Sequence, residues 1–249
     1  MGGALRGAVD HHADRRRCGG HVGAKKIQSA ACAVKVLHII NSLGYGGAER
    51  QLMLLAAELR GDGIEQNIIP LVGTRESVRG SPGISIASAR NGVLSIVPAV
   101  FRCIREVRRS KKLVMISWMY HSWPVALALK RMFPARVKLF LYCRHGDMAS
   151  LKPVTRLVAR LSIKAARWMN VPIVFNSREA ERNHKRIVSD IRSVVIPNGV
   201  RVSAANIASQ RQRPCVVAFL GRNHWDKGAD LLPEIVLKFS PHALRQDLS

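Results

Sequence analysis

The run Gly221-Arg-Asn-His-Trp-Asp-Lys-Gly228 sets two cations, Arg222 and Lys227, between a strand-like segment and a helix-like one. Cations beside a helix start suit a diphosphate, because charge-assisted hydrogen bonds to phosphate are strong. The plain alternative is a pair of solvated side chains. A second anion-type feature is Gly44-Tyr45-Gly46-Gly47-Ala48-Glu49, between an apolar run and a helical pattern. Its backbone N–H groups would lie at the positive end of a helix, where phosphate is stabilised. Without a Cβ, Gly46 and Gly47 let a ligand reach the backbone. The same glycines would also serve as a simple turn. Their spacing is not Gly-x-Gly-x-x-Gly, and the segment after them ends near Val72 without the acid that would hold a ribose of NAD. A nicotinamide dehydrogenase is therefore excluded.

Four more segments carry polar groups where strands should end. WMYHSW (118–123) offers His121, and RHGD (144–147) offers Arg144, His145 and Asp147. Asn176-Ser177 precedes a helix, and Pro197-Asn198-Gly199 is a turn. Each has a structural reading beside the chemical one. A lone histidine often packs inside a fold, a serine before a helix caps it, and Asn-Gly favours turns by its backbone preferences.

These segments need a scaffold that presents strand ends together. Val34, Val36, Leu37, Ile39 and Ile40 form a nearly continuous apolar run, the pattern of a strand buried on both faces. Apolar residues 52, 55, 56 and 59 then recur at helical spacing, and Gly61 and Gly63 stop the helix. Further strands are expected at 67–72, 83–87, 113–118, 137–143, 171–176 and 193–197, with helices at 98–109, 124–131, 153–169 and 178–188. Such alternation predicts an α/β fold, a Rossmann-like parallel sheet with helices on both faces. Its ligands should lie off the C-terminal ends of the strands.

The 249 residues are 47% hydrophobic, enough for a real core, and no run of 18 apolar residues suggests a membrane span. The N-terminus lacks a secretory pattern. Five scattered cysteines without metal spacing read as reduced thiols in the cytoplasm. Forty Lys and Arg against sixteen Asp and Glu give a net charge of +24, which favours anionic partners. Nucleic acid is disfavoured by 5% aromatics, the absence of a recognised motif and the spread of the basic residues. Residues 1–33 read as a disordered basic arm, 34–200 as the N-terminal domain and 201–213 as a linker. Strand 215–220 and a helix from Ala229 begin a second Rossmann-like domain over 214–249, which we expect to be incomplete.

In this order and spacing, Gly44-Tyr-Gly46-Gly47-Ala-Glu49, Trp118-Met-Tyr-His121, Arg144-His145, Asn176-Ser177, Ile196-Pro-Asn-Gly-Val200 and Gly221-Arg222…Lys227-Gly228 resemble the family-4 retaining glycosyltransferases. The resemblance covers about residues 34–235. It implies the GT-B fold, two Rossmann-like domains facing a cleft, with residues 34–200 on the acceptor side. It implies transfer of a hexose from a nucleotide-sugar to a glycan or lipid-linked acceptor in envelope or exopolysaccharide assembly, with retention, no metal and no further cofactor. His121 would face the sugar. Gly46 and Gly47 would approach the donor, and Arg222 and Lys227 would neutralise the leaving diphosphate. Arg144, Ser177, Asn198 and Gly199 would line the cleft.

Two departures stand out. Arg201 replaces the acid usual after Asn-Gly-Val, and Glu234 has no partner glutamate downstream. Weak or absent turnover is the resulting expectation. The rival class is a non-catalytic basic module binding anionic lipid or nucleic acid. Segment 153–169 bears on that rival, since Val154, Leu157, Val158, Leu161, Ala165 and Trp168 fall on one side and Arg156, Arg160, Lys164 and Arg167 on another. It reads either as a core helix with a solvated basic face or as a helix lying at the inner membrane surface.

Overall fold

The structure is a computed structural model, and it describes residues 34–44, 46–73, 83–87, 92–144, 146, 148, 151–200, 228–235 and 238. Within them the expected alternation is present. The strands are β1 (Lys35–Ile40), β2 (Gln66–Pro70), β3 (Ile84–Ile86), β4 (Leu113–Trp118), β5 (Val137–Cys143), β6 (Ile173–Phe175) and β7 (Ser193–Val195). The helices are α1 (Gly47–Gly61), α2 (Ile96–Arg109), α3 (Trp123–Met132), α4 (Pro153–Trp168) and α5 (Arg178–Lys185). Strands β4 and β5 match the sequence reading end for end, while β6 and β7 are shorter than it suggested. All neighbouring strands are parallel, in the order β3-β2-β1-β4-β5-β6-β7.

The register lines up the strand ends. Ile40 stands beside Pro70 on one side and Trp118 on the other, and Trp118 stands beside Tyr142. Cys143 pairs with Phe175, and Phe175 with Val195. All the following turns therefore emerge along one edge. Both faces of the sheet are covered, as an all-parallel sheet requires. Leu37, Ile39, Met115 and Leu141 join a large core with residues of α2, α3, α4 and α5. Ile40, Ile68, Trp118 and Tyr142 join a smaller cluster with Leu52 and Ala56 of α1.

Helix α1 has Gly46 as its N-cap, and no side chain caps it. Gly61 is its last residue rather than its stop. The left-handed residue that ends the turn is Gly63, at φ +75°.

Helix α4 corrects one sequence reading. Its buried stripe is Ala159, Ser162, Ile163 and Ala166. Val154, Leu157, Leu161 and Trp168, assigned on spacing to one apolar side, are exposed. Both stripes repeat every three to four residues, so periodicity could not choose between them. Packing chose Ala159, Ser162, Ile163 and Ala166, mostly small, which let α4 lie close to α3 over the large core. The larger apolar side chains were left outside with the arginines and lysines.

The chain separates into two compact units, Met1–Gly199 and Val200–Ser249. In the second, Gly228 at φ +68° leads into a 3₁₀ turn at Ala229–Leu231, and Lys238 pairs with Glu234 at 2.7 Å. The expected arm, linker and strand 215–220 lie outside the described residues. Among the described residues no helix is long and apolar enough to cross a membrane.

Candidate functional site

The strand order reverses between β1 and β4, because the chain leaves β1 toward β2 and leaves β4 toward β5. In open α/β sheets a crevice forms outside the strand ends at such a point. The β1–α1 turn enters it with Gly46 and Gly47. In the first turn of α1 the opening N–H groups have no intrahelical acceptor, the first such bond running from Arg50 N to Gly46 O at 3.1 Å. With the helix dipole behind them they favour an anion. A Cβ on Gly47 would fall on the Arg144 guanidinium, and one on Gly46 would fall on the Glu49 carboxylate. At each glycine a Cβ would displace only the far end of a flexible side chain, and its absence lets a cation from the end of β5 lie against the α1 backbone. Glu49, third after the N-cap, holds the position from which a capping-box carboxylate folds back.

The β4–α3 turn carries His121, which is exposed. Ahead of it Met119 takes a left-handed backbone at φ +70°, unusual for a side chain of its size. Three bonds hold that shape. Met119 N donates to Tyr142 O at 3.0 Å, Ser122 Oγ donates to Trp118 O at 2.8 Å, and Ser117 and Ser122 share a hydroxyl contact at 2.8 Å. Strain held by surrounding bonds is a mark of functional turns. From below, the Tyr120 hydroxyl bonds His184 Nε2 at 2.6 Å, and His184 Nδ1 donates to Ala180 O. Burial lowers the His184 pKa, which keeps Nε2 free to accept.

A second buried chain of polar groups runs under the crevice. Gln66 Nε2 donates to Ala56 O at 2.8 Å, which turns its Oε1 toward His38 Nε2 at 3.1 Å. Trp118 Nε1 donates to His38 Nδ1 at 3.2 Å. The indole has only a proton to give, so His38 is neutral with its own proton on Nε2. Burial pushes its pKa down to about 4, against a weaker upward pull from the Gln66 bond. Trp118 packs on Tyr142 with ring centroids 4.5 Å apart. The Tyr142 hydroxyl donates to Asn198 Oδ1 at 2.6 Å, and burial raises its pKa to about 12, so it stays a donor. The next residue, Gly199, is clamped by Gln51 of α1, whose amide donates to Gly199 O at 2.9 Å and accepts from Gly199 N at 3.1 Å.

The site residues expected from sequence now have places. Gly46, Gly47, His121, Arg144, Ser177, Asn198 and Gly199 all lie along the C-terminal edge of the sheet. Gly47 and Arg144 are in direct contact, and Asn198 and Gly199 are tied to Tyr142 and α1. Ser177 caps α5, its hydroxyl accepting from Ala180 N at 3.1 Å. Arg222, Lys227, His145 and Asp147 lie outside the described residues. Among the described residues no group of three His, Cys, Asp or Glu side chains could hold a metal ion. Sequence reading missed Gln51, His38 and Tyr142, and it took Trp118 only as the first residue of its motif. The polar His38 within the apolar run of β1 was the available signal.

A family model for Glycosyltransferase Family 4 matches residues 45–204. Among solved structures, the chain is similar to Anabaena Alr3699/HepE in complex with UDP, at TM-score 0.51 and 19% identity, over 67% of this chain and 44% of that one. Sucrose-phosphate synthase (tll1590) from Thermosynechococcus elongatus is similar at TM-score 0.49 and 13% identity, over 66% of this chain and 48% of that one. The chain therefore spans less than half the length of either protein. No curated protein matches the sequence. The parallel sheet, the reversal of strand order and the Anabaena likeness agree on a Rossmann-like domain of the GT-B type. With the family match extending over more than half of its residues, the chain belongs to Glycosyltransferase Family 4.

Proposed function

We propose that the protein takes part in moving a hexose from a nucleotide-sugar to a glycan or lipid-linked acceptor, with retention and without a metal. The pathway is assembly of envelope or extracellular polysaccharide, in the cytoplasm at the inner face of the membrane. One observation carries the reading: Gly47 meets the Arg144 guanidinium at the open end of α1, beside the strand-order reversal. Free amides, a helix dipole and a fixed cation at one point suit a phosphorylated ligand. The UDP bound by the Anabaena protein is in keeping with this.

In this reading His121 stands over the sugar at the reaction centre, aimed by the strained Met119 turn. Gly46 and Gly47 offer amides to the donor, and Arg144 adds positive charge. Arg222 and Lys227 neutralise the diphosphate as it leaves, so developing charge meets cations already in place. Asn198 and Gly199 close the far side of the cleft, while Ser177 serves α5 as its cap. The nucleotide-sugar is a substrate, and no further cofactor is invoked. The domain plan is an acceptor-side unit at 34–200, followed by a linker and donor-side sequence.

The test is a panel of radiolabelled nucleotide-sugars presented to purified protein with a lipid-linked acceptor. Transfer with one donor, reduced at least a hundredfold by His121→Ala at unchanged thermal stability, is the expected result. Salt-sensitive DNA binding with no sugar-nucleotide binding would instead favour a non-catalytic basic module.

A further inference from the structure

The outward stripe of α4 is used by nothing described so far. Val154 is 74% exposed, Leu157 58%, Leu161 59% and Trp168 73%. Exposed singly such residues need no explanation, but these four, spaced three, four and seven positions apart, fall along one helix face. The stripe runs for about 21 Å at helical rise. Arg160, Lys164 and Arg167 are exposed among its members, and Lys152 stands at its start. Arg167 pairs with Asp190 at 2.7 Å, while Lys164 and Arg167 also line an open pocket of about 560 Å³ with Trp168, Ile187, Val188 and Ser189. Helices α2 and α3 on the same side of the sheet add exposed Val97, Phe101 and Met132, with Arg105, Arg108 and Arg131 also exposed.

We infer that this helical face docks flat onto an anionic lipid bilayer, with Leu157, Leu161 and Trp168 entering the headgroup boundary and the cations meeting lipid phosphates. Interspersed cations and apolar side chains, with a tryptophan at one end, are what an in-plane helix requires. Charge selects the occupant. At +24 a second copy of this chain would be repelled, whereas an acidic membrane is attracted. Helix α4 starts from the edge that holds the crevice and runs away from it. Contact along its outer side therefore leaves the strand ends open at the membrane surface, within reach of a lipid-linked acceptor. The docking deepens the membrane location in the proposed function and does not depend on the chemistry.

The experiment is co-sedimentation of the full chain with vesicles of phosphatidylcholine alone and of phosphatidylcholine with roughly one-third phosphatidylglycerol. Binding to the acidic vesicles alone is expected, weakening with salt and accompanied by a blue shift of tryptophan emission that Trp168→Phe removes. Arg160→Gln with Lys164→Gln should weaken binding by about 25-fold, about fivefold for each cation lost. Leu157→Ser, Leu161→Ser and Trp168→Ser together should weaken it by about a hundredfold with unchanged circular dichroism, since all three side chains are exposed. Equal binding to neutral vesicles would overturn the inference. So would a triple variant binding within threefold of the parent, or a dimer or DNA complex that uses these residues in place of lipid. Sugar-nucleotide binding, measured separately without vesicles, reports on the catalytic reading alone.

Discussion

Acid should unlatch the buried chain beneath the crevice at a position that can be named in advance. His38 is fully buried and neutral, with Nδ1 accepting from the Trp118 indole and Nε2 facing Gln66. Protonation would set two N–H donors against each other at Nδ1. The folded pKa is about 4 against 6.5 for the free side chain, because burial disfavours the cation. Below pH 6.5 the unfolded chain takes up a proton that the folded one refuses, so stability falls as pH drops from 6.5 toward 4. The gap between those values, at ~1.4 kcal/mol per pH unit, comes to about 3 kcal/mol. His184, also lowered by burial, acts in the same direction. Urea unfolding at several pH values gives the total, and the ring-proton shifts of His38 isolate its share. Its titration in the folded protein should lie near pH 4 and coincide with a change in Trp118 fluorescence. A His38 midpoint near 6.5, or a His38→Gln variant with an unaltered pH slope, would refute the account.

Four further outcomes test the packing and the site. Gly47→Ala should leave stability level or raise it by up to about 1 kcal/mol, as alanine suits a helix better. It should also push the Arg144 guanidinium aside and weaken sugar-nucleotide binding about tenfold in calorimetry. Gln51→Ala removes both bonds to Gly199 and should cost about 1–2 kcal/mol in chemical denaturation, with faster amide exchange at Gly199. Ser177→Ala should cost about 1 kcal/mol in the same assay and leave donor binding unaltered, separating a cap from a ligand contact. On α4, Ile163→Ala should cost about 2–4 kcal/mol in thermal unfolding, and Leu161→Ala less than about 0.5, because only the former is buried.

Much of the scaffold could be read from residue patterns, since parallel strands buried on both sides leave near-continuous apolar runs. Strands β4 and β5 announced themselves in this way, and Gly46-Gly47 marked the turn that enters the crevice. The facing of α4 could not be read, because two apolar stripes of the same period compete and only the fit of Ala159, Ile163 and Ala166 into the large core decides. The polar chain from Gln66 through His38 to Trp118 depends on which residues of β1, β2 and β4 stand side by side, and register is not written in any one segment. Arg144 was placed at a strand end by sequence, yet its contact with Gly47 joins residues nearly a hundred positions apart.

The unequal size of the two cores has a bearing on how the protein would respond to a substrate. Helix α1 places Leu52 and Ala56 in the smaller cluster and packs Met53 and Leu55 against it, while α2 to α5 share the larger one. Local opening has the lowest threshold where few apolar side chains resist it. A shift of the helix offering its amides by a fraction of an ångström would therefore disturb the smaller cluster alone, and the opposite side of the sheet acts as the anvil against which such an adjustment is made.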